Sequence, residues 1–156
     1  VSGPLVFGLA ALALAACSAQ SDANPAPVKL DDLNLTPYLS KPCSLFDADQ
    51  LSDLGIPKPG VDELTDADIG TCYLTPATTT ATVMFRVTVH RPKGAAPTTK
   101  IAGYPAAEAP RSNGCALGVD VAAGQQIAVS AVGTDACHLA ESVATSAIGA
   151  IKRQNP

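Results

Sequence analysis

Five cysteines, the first closing an uncharged apolar run and the other four spread through the remainder, limit what this 156-residue chain can become more than any other feature. Leu14-Ala15-Ala16-Cys17 has the form of a lipobox. Small residues precede the cleavage point and cysteine becomes the first mature residue, because its thiol is alkylated by a diacylglyceryl group before the peptide is cut. Residues 1–16 fall short of the roughly 20 apolar residues that span a bilayer, and the polar Ser18-Ala19-Gln20-Ser21-Asp22 follows at once. The expectation is a signal peptide over residues 1–16 and an extracytoplasmic protein anchored to the cell membrane by a lipid on Cys17. No Lys or Arg precedes Cys17, where a signal peptide carries a basic region, and Val1 opens the chain, so an upstream start is expected.

Cys43, Cys72, Cys115 and Cys137 remain, an even number in a chain expected to reach an oxidising compartment, which calls for two disulfides. Among the connectivities open to four cysteines, Cys43 with Cys72 and Cys115 with Cys137 is favoured. Each of these pairs joins the start of a helix to the start of a strand within one half of the chain. On the chain-entropy model such loops contribute about 3 to 4 kcal/mol each, which matters in a small domain. Zinc is not expected, since no two cysteines have C-x₂-C spacing.

A length of 156 residues accommodates one domain, and a composition 47% hydrophobic and 15% charged is that of a globular chain. The net charge of −4 resides entirely beyond Cys17, because Asp22 is the first charged residue, and this argues against nucleic acid as a partner. Residues 17–34 are polar with Pro25 and Pro27 and read as a lipidated tether. Residues 35–153 then form a single disulfide-bonded domain.

Within that domain, Asp47 and Gln50 make a capping box for a short helix, with Phe46 and Leu51 as its hydrophobic staple. Gly55, Pro57 and Pro59 end it. Residues 61–70, rich in Asp and Glu, read as a solvated loop; they lack the residue order and glycine of an EF-hand. A short strand is expected over residues 71–75. Residues 81–91 alternate strictly, with Val83, Phe85, Val87 and Val89 on one face and Thr82, Met84, Arg86, Thr88 and His90 on the other. Residues 98–107 read as a weaker strand interrupted by Gly103 and Pro105. Residues 115–121 and 126–132 form a hairpin turning at Ala123-Gly124.

The last helix, over about residues 135–152, carries Ala136, Leu139, Ala140, Val143, Ala144, Ala147, Ile148 and Ile151 along one stripe. Such a stripe must lie on the sheet. The expected fold is α+β: an antiparallel sheet of four to five strands, with the long C-terminal helix and the short N-terminal helix packed on one face.

Pro42-Cys43-Ser44-Leu45-Phe46 leading to Asp53-Leu54-Gly55, the strand cysteine Cys72, Gly103-Tyr104-Pro105-Ala106, Cys115-Ala116-Leu117-Gly118-Val119, Gly124-Gln125 and Cys137 form one recurring pattern. In these segments the chain resembles an actinobacterial lipoprotein family, domain of unknown function 3558. The resemblance spans the mature domain and implies an envelope lipoprotein with a common fold; it carries no catalytic residues. The departure is Leu74, where the family usually places tryptophan.

Chemistry-bearing residues are few. His90 and His138 are the only histidines, no G-x-S-x-G nucleophile elbow occurs, and no glycine-rich phosphate loop follows a strand. With no C-x-x-C the four paired cysteines read as structural rather than redox-active. No cofactor is expected and no enzyme activity. The expected function is a monomeric, non-catalytic binding or sensing module for an envelope protein or small apolar ligand, contacted through Thr82, Met84, Arg86, Thr88 and His90. The alternative is an envelope hydrolase or accessory enzyme subunit using His90 or His138. Cys17→Ala is expected to release the protein from membranes or leave it unprocessed, as read by membrane fractionation and mature mass.

Overall fold

A computed structural model describes residues 30–77, 82–90 and 96–154. Residues 1–16, Cys17 and the tether as far as residue 29 lie outside the described residues. The architecture is α+β, with the strands β1 (Val61–Asp66), β2 (Ile69–Leu74), β3 (Thr82–Thr88), β4 (Thr99–Ile101), β5 (Tyr104–Arg111), β6 (Gly114–Ala122) and β7 (Gln125–Val132). They form one antiparallel sheet in the order β1-β2-β3-β7-β6-β5-β4. Helix α1 (Ala48–Asp53) precedes the sheet and α2 (Ala136–Gln154) closes the chain.

Seven strands replace the four to five expected, for two reasons. Residues 61–66, read from the sequence as acidic loop, are the edge strand β1, paired with β2 from Val61↔Tyr73 to Asp66↔Ile69. All six of its residues are exposed, so no burial imposes an alternating pattern, and its carboxylates are the kind that keep an edge from pairing with other chains. Residues 98–107, read as one interrupted strand, are two. Ile101 pairs with Tyr104, leaving Ala102-Gly103 as a two-residue turn with φ of 49° and 93°. Two positive φ values are what a tight type I′ hairpin needs. Gly103 therefore marks a reversal and not a break.

The core lies between one sheet face and a layer of helices. Alternate strand residues Val83, Phe85 and Val87 on β3, Leu117, Val119 and Val121 on β6, and Ile127 and Val129 on β7 are all buried. Against β6 and β7 packs α2, whose Ala140, Val143, Ala144, Ala147, Ile148 and Ile151 are buried as the stripe requires. The other half of this face is covered from the N-terminal side by two 3₁₀ helices, Thr36–Tyr38 and Pro42–Leu45, followed by α1. Phe46 sets its ring edge-on to Phe85, with centroids 5.1 Å apart at 85°. Leu74 is buried in this core.

The capping box forms as expected: Asp47 Oδ1 accepts from the Gln50 amide at 2.8 Å, and Gln50 Oε1 accepts from the Asp47 amide at 3.1 Å. Gln50 does more, since its Nε2 donates to Ser146 Oγ at 2.8 Å and ties α1 to α2. The disulfides are Cys43–Cys72 and Cys115–Cys137, with Cα separations of 5.1 and 4.9 Å. The first fastens the N-terminal layer to β2 and the second fastens the start of α2 to β6.

Residues 31–35, at the end of the segment read as a tether, are laced to the sheet. Leu33 is buried and its amide donates to Val121 O at 3.1 Å, while the Leu35 amide donates to Gln125 Oε1 at 2.6 Å. The Tyr104 hydroxyl donates to Asp31 O at 2.8 Å, and Lys152 Nζ lies 4.9 Å from the centre of the Tyr104 ring. Burial, followed by the charges of Asp31 and Asp32, holds the Tyr104 phenol above its ordinary pKa.

Two outcomes follow from this packing. Phe85→Ala is expected to cost about 3 to 5 kcal/mol, as a buried Phe truncation does, read by chemical denaturation. Because the folded pKa of Tyr104 exceeds the unfolded value, its contribution is complete below about pH 10 and declines as pH rises through the folded value, the unfolded chain losing its proton first. Denaturation midpoints measured on either side of that pH should fall less steeply in Tyr104→Phe than in the unaltered protein.

Candidate functional site

Among the described residues the helical layer covers only one side of the sheet, and strand register maps the other. Side chains alternate along a strand, so those between the core positions face away from α2. One row across the sheet is Tyr73, Met84, Ser130, Ala116 and Ala109. The next is Thr71, Arg86, Ala128, Gly118 and Ala107. Thr82, Val132, Gly114 and Arg111 lie at one end, and Thr88, Gln126 and Asp120 at the other. From β5 to β7 the middle of this face is Gly, Ala and Ser, whereas β2 and β3 carry the larger Tyr73, Met84 and Arg86. The Gln126 side chain lies over Gly118, so the low part of the face is at Gly114, Ala116 and Ser130. A hollow of about 270 Å³ opens there, lined by Arg111, Asn113, Gly114, Ala116, Ser130 and Val132 among others.

Several polar groups on the face are paired, and one buried donor is not. Thr71 is buried and its hydroxyl lies 3.0 Å from that of Thr65. Gln126 Nε2 donates to Asp120 at 2.9 Å. The Tyr73 phenol hydrogen-bonds Glu63, and that bond and the Glu63 charge hold its pKa above the usual value, with Arg86 acting in the opposite sense. Arg86 Nε is buried without an acceptor, and Nη2 reaches only the thioether sulfur of Met84 at 3.6 Å.

Of the sequence-predicted face, Met84 and Arg86 are central, and Thr82 and Thr88 sit at the strand ends. His90 is not on the strand: it follows β3 in a bend with φ of 55°, its Nδ1 3.0 Å from Asp68 Oδ1. With the His90 side chain 81% exposed, that pair contributes little to stability. Tyr73, Ser130, Ala128, Ala116 and Gly118 complete the face and were missed, since strand neighbours depend on register. A signal existed in the small residues between core positions at Gly114, Ala116 and Gly118 and at Ala128 and Ser130.

His138 lies elsewhere, on the outer side of α2. A hollow of about 430 Å³ between α1 and α2 brings it together with Glu141, Ser142, Ser146, Gln50 and Asp53. His138, Glu141 and Ser142 are three and four residues apart, the spacing of neighbours on any helix surface. Ser146 Oγ is engaged by Gln50, and no hydrogen bond links His138 to Ser142 or Glu141 among the described residues. Two groups have metal-ligand proximity, Cys43 with Asp62 and Cys72, and Glu108 with Cys115 and Cys137. In both the sulfurs are bonded to each other, which removes the thiolates a metal would need.

The sequence profile of a family described as proteins of unknown function, DUF3558, matches residues 12–150. The chain belongs to this family. The DUF3558 match spans every element from the first 3₁₀ helix into α2, so the uncovered face, both disulfides and the α1–α2 hollow all fall within it. No curated protein and no solved structure matches the chain.

Proposed function

We propose that this DUF3558 domain is a non-catalytic binding module, lipid-anchored through Cys17 outside the cell, that takes its ligand or envelope partner on the uncovered sheet face. The lipobox and the two disulfides support the location, since disulfides persist in oxidising compartments. The observation that carries the function is the face itself: small residues on β5 to β7 beside Met84, Tyr73 and Arg86, whose Nε lacks an acceptor, with a 270 Å³ hollow at the end lined by Arg111, Asn113, Gly114, Ala116 and Ser130. A shallow apolar surface with a few convergent polar groups suits binding better than chemistry.

One observation favours a second reading. The hollow beside α2 gathers His138, Glu141 and Ser142, the side-chain types of a hydrolase. Against it, nucleophile and base must sit within hydrogen-bond reach of one another, oriented by a third group. These three instead line successive turns of one exposed helix face.

Photo-crosslinking and active-serine labelling separate the two. With a benzoylphenylalanine at Ser130, the lipidated protein in its own membranes is expected to form a discrete adduct that the same probe at Ser142 does not form. A fluorophosphonate reagent is expected to leave Ser142 unmodified. Labelling that disappears in Ser142→Ala would establish the hydrolase instead.

A further inference from the structure

We infer that Arg86 is the anchor for an anionic headgroup, a carboxylate or phosphate carried by a ligand lying on the uncovered face; this rests on the reading of that face as a binding surface. Arginine is a strong donor that pairs with carboxylate and phosphate through parallel hydrogen bonds, and a buried N–H without an acceptor is rare enough in folded proteins to call for a cause. Arg86 has such an N–H at Nε, and a weakly accepting sulfur as the one contact of Nη2.

The polar groups near it on the face have partners of their own. Glu63 is engaged by the Tyr73 hydroxyl. The Thr71 hydroxyl is paired with Thr65, and Asp120 accepts from Gln126. No carboxylate of the described residues lies within ion-pair distance of Arg86, in a chain of net charge −4. Between β2 and β5, the two central rows of the face contain Arg86 as their only charged residue. Arg86 is the one cation in these rows, and an acid pairs with it where a base does not. Around the guanidinium stand Met84, Ala128 and Tyr73, so a ligand combining an acidic head with an apolar body matches the whole patch.

The test uses the full 156-residue chain carrying Cys17→Ala, with amide chemical shifts followed during titration with octanoate, octyl phosphate and octanol. Saturable shifts on β3 and β7 are expected for one or both acids, and the acid bound more tightly identifies the headgroup. Octanol is expected to bind at least tenfold more weakly. Arg86→Gln should weaken the acid at least tenfold and leave octanol unchanged. Arg86→Met, which removes the unsatisfied donor, should keep or raise the melting temperature. Equal binding of octanol and the acids, with no effect of Arg86→Gln, would overturn the anionic anchor while leaving the face a binding surface. Absence of saturable shifts on β3 and β7 with all three would overturn both readings. A lower melting temperature in Arg86→Met would assign Arg86 to the fold instead.

Discussion

One helix cannot cover seven strands, and most of the remaining structure answers that shortfall. Strands spaced about 4.8 Å apart make a sheet nearly 30 Å wide, whereas a helix with its side chains is roughly 10 Å across. Helix α2 lies on β6 and β7, and the half of the core face formed by β2 and β3 is sealed by residues 33–54 instead. This N-terminal layer contains only short helical pieces, which have little independent stability. It is held by covalent and specific contacts: Cys43–Cys72, the Phe46–Phe85 ring pair and the bridge from Gln50 to Ser146. The disulfides thus fasten the two parts of the cover that the sheet alone would hold least firmly, the N-terminal layer and the first turn of α2.

Among the described residues the second side of the sheet has no layer over it. Sheets of this kind commonly solvate one face, and alternating polar residues are the usual result. Here the middle of that side on β6 and β7 is Gly, Ala and Ser, with Asp120, Gln126 and Val132 at its ends, and the bulk is displaced to β2 and β3. Long side chains in that middle would fill the low part of the face. The buried and unpartnered Nε of Arg86 is a local cost that the fold does not recover through any contact of its own. The α1–α2 hollow, by contrast, is lined by groups whose presence together follows from helical spacing.

The elements legible in the sequence were those whose signal is local. The Asp47–Gln50 box, the alternation of residues 82–88, the turn at Ala123-Gly124 and the stripe of α2 all appear where their residues place them. The favoured cysteine pairing also holds, because each bridge spans a short stretch within one half of the chain. What escaped was β1, whose exposed edge imposes no pattern, and the division of residues 98–107 by a reversal that looked like an interruption. On the candidate face, Met84 and Arg86 could be read from one strand; Tyr73, Ser130 and Gly118 could not.

Local sequence was enough for the class of fold, the family, the cross-links and the capping box of α1, because hydrophobic period, cysteine spacing and cap chemistry act over a few residues or within one half of the chain. Only the tertiary structure decided the number of strands, the lacing of residues 30–35 onto β6 and β5, and the composition of the uncovered face. Those depend on register and on which layer covers which strand. Both are settled by pairing residues far apart in the chain, and such pairing leaves no mark in any single segment.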